Sequence, residues 1–324
     1  MRPIETVTRR RILDSAGVNE QRRGIDVTTD SPIVVGVDGS AQSLDAVRWA
    51  TAAAVLHRAP LLLVSSLLTA PGTFGDAVNL SAGAFTGVEY VGAERLAAAA
   101  ELARRSVRGT NLPLRTVLLH GSAVPALLDA AKSARMLVVG SRGLGELTGG
   151  LLGSVSSAVA SHAACPVAVI RSMPDMDGPP LDGPVVVGVD GSPNSEPAIA
   201  AAFEEACLRD VDLVAVHAWS DFSMLRLAPA DPSVTASAWS AIETAEQAVL
   251  SESLAGWTDK YPDVSVRKVV VRDRPVHHLL QQSQEAQLVV TGSRGRGGFT
   301  SPLLGSTSRA LLHTITCPLL IVRR

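Results

Sequence analysis

Gly140-Ser-Arg-Gly143-Leu-Gly-Glu-Leu-Thr-Gly-Gly-Leu-Leu-Gly153-Ser154 returns 152 residues later as Gly292-Ser-Arg-Gly295-Arg-Gly-Gly-Phe-Thr-Ser-Pro-Leu-Leu-Gly305-Ser306. Both stretches read Gly, two residues, Gly, nine residues, Gly-Ser. Each follows a short apolar run, Met136-Leu-Val-Val139 or Leu288-Val-Val-Thr291, and each precedes a helix-like segment. A glycine-rich turn between a strand and a helix offers backbone N–H groups and the positive end of a helix dipole to an anion. The pattern therefore predicts two phosphate-holding loops.

The repeat extends outward from the loops. Ile33-Val-Val-Gly-Val-Asp38-Gly-Ser40 recurs as Val185-Val-Val-Gly-Val-Asp190-Gly-Ser192, and Cys165-Pro166 recurs as Cys317-Pro318, all at the same offset of 152. A constant offset across these landmarks means two copies of one domain-sized unit. The sequence divides into a flexible tail over 1–30, a first domain over 31–171, a linker over 172–182 and a second domain over 183–324. The tail mixes Arg2, Arg9, Arg10, Arg11, Arg22 and Arg23 with Glu5, Asp14, Glu20, Asp26 and Asp30, and contains no apolar core of a signal peptide.

Composition excludes several classes of function. The net charge of −2 gives no basic signature of a nucleic-acid binder, and the apolar runs are too short and interrupted to cross a bilayer. Three cysteines, Cys165, Cys207 and Cys317, make no disulfide framework and read as small packing residues. A reducing cytoplasm suits them. The seven histidines do not recur at the offset and show no metal-ligand spacing, so core or surface roles are expected for them.

Strand and helix patterns alternate through each copy. In the first, strands are expected at 33–38, 60–66, 114–119, 136–139 and 166–170, and helices at 43–57, 93–108, 124–133 and 154–163. The second predicts strands at 185–190, 212–218, 265–271, 288–291 and 318–322, with helices at 194–209, 238–256, 275–286 and 306–315. Near-continuous apolar strands alternating with helices predict an α/β fold: a doubly wound parallel sheet with helices on both faces. Ligands of such sheets bind beyond the strand C-termini.

Asp38 and Asp190 fall at that edge. Asp-Gly-Ser also occurs in ordinary turns. Beside a phosphate loop of the same sheet, a carboxylate bonding a nucleotide hydroxyl or helping to hold a cation is the favoured reading. The loops lack the Gly-Lys-Ser/Thr of a Walker A motif and the first-strand position of a dinucleotide turn. Arg296 aligns with Leu144 and Gly298 with Glu146, which makes the second loop the more basic.

These motifs together resemble a tandem-type universal stress protein, with the family domain covering 31–171 and 183–323. The segments His217-Ala-Trp-Ser-Asp221, Leu254-Ala-Gly-Trp257 and Tyr261-Pro are similar to the actinobacterial tandem branch. The resemblance implies two five-stranded parallel sheets of strand order 3-2-1-4-5, packed as an internal pseudo-dimer. It further implies one ATP site per domain, with magnesium accompanying the triphosphate. In the first domain the implied nucleotide residues are Gly36, Asp38, Ser66, Gly140, Ser141, Arg142, Gly143, Leu144, Gly145, Glu146, Gly153, Ser154 and Val155. In the second they are Gly188, Asp190, Ala218, Asp221, Gly292, Ser293, Arg294, Gly295, Arg296, Gly297, Gly298, Gly305, Ser306, Thr307 and Ser308. Asp221 aligns with Thr69, so an acidic contact is expected in the second site alone.

The function expected from this resemblance is that of an ATP-binding regulator or sensor in the stress or dormancy response, forming a homodimer. A slow ATP hydrolase and a protein-interaction scaffold with vestigial loops are the alternatives. No general base or Walker-type lysine is apparent, which disfavours rapid turnover. The two closing strands, Pro166-Val-Ala-Val-Ile170 and Pro318-Leu-Leu-Ile-Val322, are expected to pair antiparallel with each other.

Overall fold

Ile33, Val34 and Val35 have no solvent exposure, and neither have Val185, Val186 and Val187. Strands covered on both faces read as unbroken apolar runs, which is how these two segments announced themselves. The computed structural model describes residues 6–8, 31–67, 82–107, 109–143, 152–171, 182–219, 232–296 and 304–323. The remainder of the N-terminal segment, most of the linker and the middles of both glycine loops lie outside the described residues.

A short strand β1 (Thr6–Thr8) precedes the first repeat. The repeat then runs β2 (Ile33–Gly36), α1 (Ala41–Leu56), β3 (Leu61–Leu67), α2 (Ala82–Ser106), β4 (Leu114–His120), α3 (Ala123–Ala131), β5 (Met136–Gly140), α4 (Ser154–His162) and β6 (Val167–Ile170). The second repeats this order as β7 (Val185–Val189), α5 (Glu196–Arg209), β8 (Leu213–Trp219), α6 (Pro232–Lys260), β9 (Val266–Arg272), α7 (Pro275–Ser283), β10 (Leu288–Gly292), α8 (Ser306–Thr314) and β11 (Leu319–Val322). No helix among the described residues is long and apolar enough to cross a membrane.

The chain forms two compact units, one of Met1–Val159 with Ala163–Cys165 and one of Ala160–His162 with Pro166–Arg324. The first unit orders its strands β1-β4-β3-β2-β5, all parallel. The second contains the expected 3-2-1-4-5 order in full, as β9-β8-β7-β10-β11. Register sets the ligand edge. Val35 lies level with Val138 and Val187 with Val290, so Asp38 and Gly140, like Asp190 and Gly292, leave their sheets at the same end.

The compact units divide ahead of β6 because that strand joins the second unit. It runs antiparallel to β11, pairing Val167 with Ile321, Ala168 with Leu320 and Val169 with Leu319. The expected pairing of the two closing strands is thus present. All eight residues of β6 and β11 are buried. Two arginines at the repeat offset reinforce this region. Arg171 donates from Nη2 to the carbonyls of Leu312 and His313 at the end of α8, at 3.2 and 2.7 Å. Arg323 donates to those of Ala160 and Ser161 in the last turn of α4. Each cation satisfies carbonyls that a helix end leaves open, at the negative end of its dipole. Burial, then the charge of Arg294, lowers the pKa of Arg323.

The second long helix of each repeat begins earlier than the sequence pattern suggests. Helix α2 starts at Ala82, where Gly83 and Gly87 depress helix propensity and obscure the signal. Helix α6 starts at Pro232, and proline in a first helical turn is a start signal that the sequence reading overlooked.

Replacing Ile321 by Glu would bury a charge opposite Val167, at a position only 2 % exposed. The expected loss is about 3 kcal/mol or more. Arg171→Ala and Arg323→Ala should each cost about 1 kcal/mol. Denaturant unfolding checks both; an unchanged midpoint for Ile321→Glu would show that the β6–β11 seam contributes nothing to stability.

Candidate functional site

Both Asp-Gly-Ser segments make the same turn. Asp38 Oδ1 accepts from the Ser40 amide at 2.8 Å, and Asp190 Oδ1 accepts from the Ser192 amide at 2.9 Å. The intervening Gly39 and Gly191 have φ of +88° and +72°, a left-handed conformation that favours glycine. Ser40 then caps α1 by accepting from the Ser43 amide at 3.2 Å. In the second repeat Ser192 instead donates its hydroxyl to Asp190 Oδ1 at 2.7 Å and accepts from the Asn194 amide. In both repeats the turn engages Oδ1 of the carboxylate.

The second oxygen of each carboxylate faces the glycine loop. A methyl group built on Gly143 would collide with Asp38 Oδ2, and one on Gly295 would lie 2.9 Å from Asp190 Oδ2. The middle glycine of each motif is needed because backbone and carboxylate meet there. Asp190 Oδ2 is buried with no hydrogen-bond partner. A buried, unsatisfied carboxylate oxygen is costly and suits a site that receives a hydroxyl or a cation. The first glycine is also packed closely: a methyl on Gly140 would come 2.8 Å from the backbone of Gln42. In the second repeat the equivalent Asn194 reaches the loop directly, donating Nδ2 to the Gly295 carbonyl at 3.4 Å.

The closing Gly-Ser of each loop opens a helix. Gly153 and Gly305 are the N-caps of α4 and α8, and neither offers a capping side chain. Ser154, Val155, Ser306 and Thr307 occupy first-turn positions whose amides have no partner within the helix. The loop ends are pinned by matching bonds, Gly153 N–H to the Ser141 carbonyl and Gly305 N–H to the Ser293 carbonyl, both at 2.8 Å. The Ser308 side chain is engaged within the protein. Its buried hydroxyl donates to the Gly292 carbonyl at 2.6 Å, and Ser156 does the same to Gly140 at the same distance. These hydroxyls lock helix to strand.

In the first unit the assembled residues line a cavity of about 390 Å³. Gly36, Asp38, Ser66, Gly140, Arg142, Gly143, Gly153, Ser154 and Val155 all border it. Leu144, Gly145 and Glu146 of the first loop, and Asp221, Gly297 and Gly298 of the second repeat, lie outside the described residues. Ser141 and Ser293 are buried at the strand ends, and Arg294 is exposed. Gly188 and Ala218 occupy β7 and β8 positions equivalent to Gly36 and Ser66.

Two features escaped the sequence reading. Arg95 of α2 lines the first cavity, its Cγ lying 3.1 Å from where a Gly39 Cβ would be. It was hidden because the offset changes locally: α2 ends at Ser106 and α6 at Lys260, and 260 − 106 = 154. At that offset Arg95 aligns with Val249. The second feature is the partner that Glu246 gives His217. His217 is a core histidine, as expected, fully buried, with Nδ1 2.8 Å from the Val189 carbonyl and Nε2 2.7 Å from Glu246 Oε2.

The buried cysteines offer no chemistry. Burial pushes the Cys165 thiol up to about 11 and that of Cys317 to about 12, which keeps both in the unreactive thiol form. Among the described residues no cluster of three or more His, Cys, Asp or Glu could hold a metal ion.

The model of the universal stress protein family matches residues 31–171 and 183–323. Universal stress protein Rv2005c of Mycobacterium tuberculosis is 42% identical over 302 residues, spanning 90% of this chain and 97% of its own length. Universal stress protein Rv2623 of the same organism is 40% identical over 292 residues, spanning 90% and 96%. The crystal structure of a universal stress protein from Archaeoglobus fulgidus superposes with a TM-score of 0.67 at 18% identity, over 92% of this chain and all of that one. At that identity the superposition speaks for the fold. The two family matches and the near full-length similarity establish that this chain belongs to the universal stress protein family, with two family domains in tandem.

Proposed function

We propose that the chain is an ATP-binding regulator with one nucleotide site in each repeat. The observation that carries this reading is the twofold occurrence of one geometry. A strand-end carboxylate turns an oxygen toward a glycine-loop backbone, and the same loop closes on an uncapped helix N-terminus. A carboxylate suits a ribose hydroxyl. A helix start with open amides suits phosphates. The first cavity is of a size ordinary for small-molecule sites.

Magnesium fits this reading as a companion of the triphosphate. With no cluster of protein ligands among the described residues, phosphate oxygens would supply most of its coordination, with Asp38 or Asp190 as protein carboxylate. When bound, the cation would neutralise phosphate charge. Regulation is preferred to rapid turnover because, among the described residues, Asp38 is the sole carboxylate lining the first cavity and neither lysine nor histidine lines it.

Calorimetry on nucleotide-stripped protein with ATP and magnesium should detect binding in the micromolar range, about −8 kcal/mol. Absence of both heat and thermal stabilisation at millimolar ATP contradicts the proposal. Phosphate release measured over hours should remain far below one turnover per second, since among the described residues no strong general base addresses the cavity.

Gly143→Glu and Gly295→Glu each set a second carboxylate against Asp38 or Asp190. Each should weaken ATP binding in its own repeat by about a hundredfold or more through lost space and like-charge repulsion. Circular dichroism should show the fold retained. If the double variant still co-purifies with ATP, these loops are not the phosphate sites.

A further inference from the structure

The two candidate sites each place a guanidinium over the positive-φ glycine of the Asp-Gly-Ser turn, but from different elements. In the first repeat it is Arg95 from α2, across Gly39. In the second it is Arg296 from the glycine loop, whose Nη2 lies 2.8 Å from where a Gly191 Cβ would be. The Arg95 position is filled by Val249 in the second repeat, and Val249 also packs on Gly191.

Arg296 is also engaged from the other side. Its Nη2 lies 3.8 Å from Glu246 Oε2, the same oxygen that meets His217 Nε2 at 2.7 Å. The Val189 carbonyl can only accept, so His217 Nδ1 must donate to it, and the His217–Glu246 bond needs one further proton from either partner. A fully buried imidazole fixed at both nitrogens holds the carboxylate in place. The counterparts of His217, Glu246 and Arg296 in the first repeat are Ser65, Gly92 and Leu144. This array belongs to the second site alone.

We infer that Glu246, positioned by His217, is an internal competitor for Arg296, the cation with which the second site meets nucleotide phosphate. This rests on the nucleotide reading of the preceding section and adds a charge-selecting element to one of its two sites. A phosphate group entering over Gly191 must share or displace the carboxylate. Polyphosphate nucleotides, which profit most from a released guanidinium, are the ligands whose affinity this contact controls. A nucleoside without phosphate gains nothing from the release.

The test reads the second site in a Gly143→Glu background, by calorimetry with ATP and with adenosine. Glu246→Gln keeps the volume and can still donate to His217 Nε2. It should raise ATP affinity roughly threefold to fivefold, the range of a partly exposed ion pair, and leave adenosine affinity unchanged. Arg296→Gln should lower ATP affinity and abolish the effect of Glu246→Gln in the double variant. Equal changes for ATP and adenosine would overturn the inference, since a merely structural role for Glu246 moves both together. So would additive effects of the two substitutions. If the background chain binds ATP and Glu246→Gln alters nothing, this inference alone fails. If that chain binds no ATP at all, the nucleotide reading of the second site fails with it.

Discussion

Each repeat turns on the meeting of a loop backbone with a strand-end carboxylate. A methyl group on Gly143 or Gly295 would press on the carboxylate of Asp38 or Asp190. Around that contact the rest of each repeat is arranged. Parallel register brings the Asp-bearing strand and the loop-bearing strand to the same edge. The Asp-Gly-Ser turn uses one carboxylate oxygen and leaves the other facing the loop. Ser156 and Ser308 then bind the following helices to the strand ends, so that the helix start is held at the loop's far side. A site assembled on strand ends and helix termini is held more rigidly than one on loops alone.

Much of this was legible in the sequence because it is carried by local, repeated signals. Buried parallel strands read as apolar runs, glycine spacing survives duplication, and the constant offset identified two domains. The antiparallel meeting of β6 with β11 was inferable from two short apolar strands that would otherwise be open edges. Other features depend on where side chains go after folding. Arg95 was invisible because helix α6 runs two residues out of register with α2, so a fixed offset aligned it wrongly. His217 and Glu246 are 29 residues apart and meet only through the packing of α6 against β8. Arg171 and Arg323 stood at matching positions, but the carbonyls they reach are 141 and 162 residues distant.

Duplication has kept the scaffold and altered the charges. Both repeats retain the carboxylate, the glycines and the helix-locking serine. The cation over the turn comes from a helix in one repeat and from the glycine loop in the other, and only the second is answered by a glutamate held by a buried histidine. On the proposed nucleotide reading, two sites built on one backbone plan would respond to different ranges of nucleotide concentration or phosphate content. That would be a physical route from a duplicated domain to a graded regulatory response.

Native mass spectrometry of the stripped chain titrated with ATP and magnesium addresses the central claim most directly, because it counts ligands on each molecule. The account predicts species carrying one and then two adenine nucleotides per chain, with the two steps separated in affinity. A chain that saturates with no nucleotide, or that accumulates nucleotides without stopping at two, would contradict it.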